Sequence, residues 1–110
     1  RRDTANVMVA CGRDAASTTV AVDVDTVKVK VGGRVLWPVT ASGAYDSIVV
    51  APKDDKRWPF AGNRTFGGTN RVQSLPVRGP KKADYAYKVT AFCGGPSGFA
   101  KVLDPDIYVD

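Results

Sequence analysis

Histidine and glutamate are both missing from this 110-residue chain, and all 11 of its acidic residues are aspartate. Without histidine, no side chain has an ordinary pKa close to neutrality. General-base catalysis by imidazole is therefore excluded, as are Ser–His and Cys–His nucleophile pairs. Lacking Glu, one of the better helix formers, and carrying 11 Gly and 7 Pro, the chain is not expected to build long helices. No apolar run reaches the roughly 18 residues that would cross a bilayer as a helix. Zinc-ligand spacing, a phosphate-cradling glycine loop and a nucleotide fingerprint are all absent, and Gly67-Gly68 and Gly94-Gly95 are only isolated pairs. The length suits one domain, residues 1–110, with one core.

What the chain has instead is alternating valine. Val20, Val22 and Val24 occupy even positions, whereas Val27, Val29 and Val31 occupy odd ones. After Gly32-Gly33 the odd phase continues through Val35, Trp37 and Val39. Period-two apolar spacing marks strands with one buried face, so residues 18–39 read as β-structure with a phase break near Asp25-Thr26. Similar reasoning predicts strands at about 5–11, 18–24, 26–31, 34–40, 46–51, 71–77, 84–92, 98–103 and 105–109. Turns are expected at Gly12–Asp14, Gly32-Gly33, Ala41–Gly43 and Asp104–Asp106, and a long loop from Pro52 to Asn70. Short strands at this spacing predict an all-β fold, an antiparallel β-sandwich of Greek-key type. Trp37, Tyr85, Tyr87 and Ile48 or Val50 are expected in its core.

Cys11 and Cys93 each end an alternating run and point to the same face as its apolar residues. Either they pair, or they are two separate buried thiols. Pairing suits a small β-domain with no other cysteine, and it would imply an exported protein, periplasmic or extracellular. The bridge would close 82 residues, for which chain entropy suggests about 4–5 kcal/mol.

Several of these segments resemble a known family. Thr26-Val-Lys-Val-Lys-Val-Gly-Gly-Arg-Val-Leu-Trp37 is similar to the strand–Gly–strand signature of cupredoxins. Gly43-Ala-Tyr-Asp-Ser-Ile-Val-Val50 resembles that family's G-x-x-H-N-I-V-F stretch, with Asp46 where the first copper-ligating histidine would stand. Tyr85-Ala-Tyr-Lys-Val89 resembles the Y-x-F-x-C strand and puts Val89 at the thiolate position. Residues 93–101 fall in the region of the ligand loop, and Asp106–Val109 look like the closing strand. The resemblance implies a cupredoxin-like sandwich. Type 1 copper needs two imidazoles and a thiolate, so a chain without histidine implies that scaffold with no copper and no other cofactor.

Charge supplies the remaining signal. Residues 53–82 hold eight Lys/Arg against two Asp, a balance of +6, while the rest of the chain stands at −1. Within that segment Arg57, Arg64 and Arg71 interleave with Trp58, Phe60 and Phe66. One reading makes these six residues a contact surface for an anionic partner, a protein face or an anionic polymer such as a glycan. The other tucks the rings into the end of the sandwich as a plug, with the cations solvated outside. Nucleic acid is the weaker partner, because Tyr85 and Tyr87 share a face with Val89 and Ala91 and suit a core better than a stacking platform. The expected function is a non-enzymatic, exported binding or assembly module. A structural subdomain of a cell-envelope or surface assembly is the first alternative. A carboxylate-based enzyme comes last, built on Asp23/Asp25 or Asp104/Asp106, which read more simply as solvated residues. Asn63-Arg64-Thr65 also matches a glycosylation sequon.

Overall fold

The computed structural model describes residues 3–62 and 64–110, all in β-strands, turns and one short 3-10 turn at Gly95–Ser97. Asn63, and with it the acceptor of the sequon, lies outside the described residues. The strands are β1 (Val7–Ala10), β2 (Thr19–Val22), β3 (Thr26–Val29), β4 (Leu36–Ser42) and β5 (Tyr45–Pro52). They are followed by β6 (Phe66–Gly68), β7 (Arg71–Gln73), β8 (Ala83–Cys93), β9 (Phe99–Leu103) and β10 (Asp106–Val109).

Two sheets form. The first runs β2-β1-β4-β7; the second runs β3-β10-β8-β5-β6, with β9 also paired to β8. The phase break in the valine pattern coincides with the passage from one sheet to the other. β2 lies in the first sheet and β3 in the second, so a one-residue shift at Asp25-Thr26 keeps the valines facing inward after the crossing. At the end of that excursion Gly32, with φ of 87°, helps reverse the chain. β4 then re-enters the first sheet in the same direction as β1.

That path corrects the expectation of a wholly antiparallel fold: β1 pairs β4 in parallel, and β3 pairs β10 in parallel. Both sheets are mixed because strands adjacent in space are separated by a crossing between layers, not by a hairpin.

β8 is the spine of the second sheet. One side pairs with β5, and the other with β9 and then β10. Phe99 opposes Cys93, Leu103 opposes Val89, Asp106 opposes Ala86 and Val109 opposes Ala83 without change of register. β9 and β10 are thus one strand in two pieces, and Asp104–Asp106 is not the chain-reversing turn the sequence suggests. Pro105 interrupts the ladder because it has no N–H to donate, yet its carbonyl still accepts from the Tyr87 N–H at 3.0 Å.

Both sheets bury one face in a single core that includes Val7, Val9, Trp37 and Val72 from the first and Ile48, Val50, Tyr87, Val89 and Ile107 from the second. At its centre the Trp37 Nε1–H donates to the Tyr87 hydroxyl at 3.0 Å, with ring centroids 5.6 Å apart. Buried hydroxyls are partnered too: Ser74 Oγ accepts from the Val35 N–H and donates to the Leu75 carbonyl.

Candidate functional site

Strand directions give the molecule two distinct ends. At one end the termini of β1, β4 and β8 meet the starts of β5 and β9. Cys11 and Cys93 are joined there by a disulfide with Cα atoms 5.9 Å apart. Gly43, with φ of 79°, turns the chain beside them, and a Cβ at that position would run into the Cys11 carbonyl. Register between β5 and β8 slips by one residue between Tyr45 and Ser47, leaving Asp46 as the bulged residue. Asp46 Oδ2 accepts the Gly95 N–H at 2.8 Å, tying β5 to the loop between β8 and β9.

This is the end where the cupredoxin resemblance would seat a metal, and the residues do not fit one. The aspartate in the first ligand position is engaged by a backbone N–H, and both sulfurs at this end are locked in a disulfide. Asp46 and Val89, which the sequence resemblance puts at two ligand positions, are kept apart by the register. Val89 pairs with Val50 deep in the core, whereas Cys93, opposite Tyr45, stands at the end shared with Asp46. Among the described residues no cluster of three His, Cys, Asp or Glu could hold a metal ion.

The basic segment begins at the C-terminal end of β5. Its first turn closes with the Arg57 N–H on the Asp54 carbonyl and the Lys56 N–H on Asp54 Oδ1. Behind it the three rings come together. Trp58 meets Phe60 edge-on at 4.9 Å, Phe60 meets Phe66 edge-on at 5.1 Å, and Trp58 stacks on Phe66 at 6.4 Å. Phe60 and Phe66 are 3% and 9% exposed, and both belong to the core. Trp58 is half-buried against it, and its Nε1–H donates to the Arg64 carbonyl at 2.9 Å. The rings form a plug. Of the six candidate contact residues, Phe60 and Phe66 therefore present no surface, Trp58 presents part of one, and Arg57, Arg64 and Arg71 are exposed.

The plug also contains the strand that the sequence reading missed. β6 is only Phe-Gly-Gly, too short and too glycine-rich to show alternation, and it is a strand because Ile48–Val50 of β5 supply its partners. Phe66 opposes Val50, which draws the ring inward.

The three arginines do not converge. Arg57 lies over the Tyr85 ring at 5.4 Å and donates to the Asp84 carbonyl at 3.1 Å. Arg64 is exposed beside Trp58, whose indole its carbonyl holds, and Arg71 is on β7, where it lines an open groove with Arg34 and Gln73. The aspartate pairs are equally dispersed. Asp23 accepts from both the backbone and side-chain nitrogens of Asn6 at 2.8 Å, which holds its carboxyl below the ordinary 3.8. Asp25 and Asp106 are exposed, and Asp104 forms an ion pair with Lys53 at 3.9 Å.

No protein-family model, curated protein or solved structure matches the chain. Among the described residues no helix is long and apolar enough to cross a membrane.

Proposed function

We propose that this is an exported, metal-free binding module on a cupredoxin-like sandwich, and that it engages an anionic partner through the cationic rim of residues 53–71. The observation that carries this reading is the division of labour in that segment. Phe60 and Phe66 are sunk in the core and Trp58 is half-buried against it, while Lys53, Lys56, Arg57, Arg64 and Arg71 stay in solvent. A plug anchored by buried rings that holds cations outward suits recognition of charge more than stacking or catalysis. Support for export comes from the disulfide, which persists in oxidising compartments. Support for the cupredoxin-like assignment comes from the two-sheet architecture and from Asp46 and the 93–101 loop, two segments of the sequence resemblance, meeting at one end of it.

The test is retention on an immobilised polyanion. Replacing Arg64 and Arg71 by Gln should weaken retention and leave the melting temperature unchanged, and adding Arg57→Gln should weaken it further. Unaltered retention would reject the rim as the contact.

One observation favours a second reading, a subunit of a larger surface assembly. The outer face of the second sheet exposes Phe92 and Val102, at 39% and 48%, with Val49, Thr90 and Ala100 beside them. Phe92→Lys should abolish any such assembly in sedimentation while the monomer stays folded.

A further inference from the structure

The end opposite the disulfide gathers cations that the linear charge count does not group together. Lys30 follows β3, and Lys81 and Lys82 precede β8, yet all three line one open cleft of about 620 Å³ with Val31 and Asp110. Cross-links in the backbone fix this arrangement. Gly32 N–H donates to the Val77 carbonyl, Val77 N–H to Gly33, Lys82 N–H to Val109, and Asp110 N–H to Val29.

Three features of the cleft point to a ligand. First, among the described residues none of the three lysines lies within ion-pair distance of a carboxylate; the one ion pair found there joins Lys53 and Asp104. Three lysines are thus held around one concavity against the single carboxylate of Asp110, and the net positive charge left there favours an anionic occupant. Second, Lys82 has φ of 58°, and it is the only non-glycine residue at positive φ among those described. Glycine would adopt that conformation with less strain. A lysine kept there argues for a use of its ammonium group. Third, the floor is apolar: Val31 is 43% exposed between the lysines.

We propose that this cleft is a second anion site, separate from the 53–71 rim, and that its ligand is an acidic polysaccharide. Sulfate or carboxylate groups would sit on Lys30, Lys81 and Lys82, with the apolar face of a sugar ring on Val31. The chemistry of the lining selects this class. No aromatic ring lines the cleft, so nucleobases have nothing to stack on. Asp110 puts a carboxylate on one wall, which accepts hydrogen bonds from sugar hydroxyls, donors that polyphosphate lacks. Lysine ammonium groups act as point charges and tolerate either sulfate or carboxylate. The inference rests on the binding-module reading but not on the loop arginines.

Calorimetric titration at low salt tests it, using a heparin-derived hexasaccharide and a galacturonate hexamer as the sulfated and carboxylated arms. A ten-residue oligothymidylate and inorganic polyphosphate are the competing classes. The wild type should bind at least one hexasaccharide more tightly than either competitor. Joint replacement Lys30→Gln, Lys81→Gln and Lys82→Gln should weaken that binding roughly tenfold, the sum of three exposed charge contacts, without lowering the melting temperature. Val31→Glu, a single exposed substitution, should weaken it as well and covers the case in which the triple variant does not fold. Replacing Arg57, Arg64 and Arg71 by Gln should leave it within about threefold. The proposal is overturned if neither hexasaccharide binds, if oligothymidylate or polyphosphate binds best, or if the folded cleft variants bind like wild type. Loss confined to the arginine variant would overturn the cleft and keep the rim; loss confined to the cleft variants is the expected result, and the rim stands or falls by its own retention test.

Discussion

Tyr87 shows how much depends on single polar atoms in this core. Burial pushes its hydroxyl from the ordinary 10.0 up to about 12, although the Trp37 N–H opposes the shift. Because the folded-state value is raised, the contribution is intact below pH 10, and it is lost as pH rises toward 12. Removing the hydroxyl leaves the buried Trp37 N–H without its acceptor. Tyr87→Phe is therefore expected to cost about 1–3 kcal/mol in urea unfolding, despite the near-identical volume. A neutral result would mean that the indole finds water or another acceptor. Asp23 behaves in the opposite sense. Hydrogen bonds from Asn6 lower its pKa, so its contribution is present above the ordinary 3.8 and disappears as pH falls below it. Asn6→Ala should lower the melting temperature at pH 7, and its gap from wild type should close in acid. A gap that stays constant down to pH 2 would assign the Asn6 contribution to packing alone. The buried end of this chemistry was legible in the sequence, where Trp37, Tyr85 and Tyr87 occupy inward positions of alternating runs. Their pairing was not, since a hydrogen bond between residues 50 apart leaves no local pattern.

At the scale of elements, alternation located every strand long enough to display it and failed where partners decide. β6 is a strand only beside β5, and β7 stops at Gln73, short of the expected 77, as Ser74 turns its side chain to Val35 and Leu75. Pro105 looked like a turn because proline so often makes one, yet the constant register across it keeps β9 and β10 collinear. Strand direction was the other blind spot: parallel pairs arise from crossings between layers, and a one-dimensional pattern does not record which layer comes next. The plug illustrates the same limit on a functional reading. Interleaved arginine and aromatic residues are compatible with an exposed contact face and with an anchored loop, and only tertiary placement separates the two. Anchorage makes a definite claim about energy. Phe60→Ala removes a ring that touches both Trp58 and Phe66, and should cost about 3–5 kcal/mol, in the range of large core truncations. Urea denaturation checks it, and a cost under about 1 kcal/mol would return the rings to the surface.

For the molecule as a whole, opposite ends carry opposite kinds of constraint. The disulfide end is closed by a covalent bridge, a bulge and the Asp46–Gly95 hydrogen bond, whereas the other end brings together three lysines that, among the described residues, form no ion pair. The charge count placed the excess in residues 53–82 but could not include Lys30, which joins Lys81 and Lys82 only because β3 runs beside β10 and its C-terminal end meets the loop before β8. Crowding of this kind has a signature that needs no ligand. Repulsion among Lys30, Lys81 and Lys82 is relieved by counter-ions once the screening length falls to about 8 Å near physiological ionic strength. The wild type should therefore gain up to about 1 kcal/mol of stability between very low salt and 0.15 M sodium chloride. The gain should shrink when all three lysines are replaced by Gln and persist when Arg57, Arg64 and Arg71 are. Chloride is the right probe because it screens without the strong stabilising exclusion of sulfate. Equal salt slopes for the three proteins would show that the lysines are far enough apart to ignore one another, and the case for a ligand-ready cleft would lose its electrostatic basis.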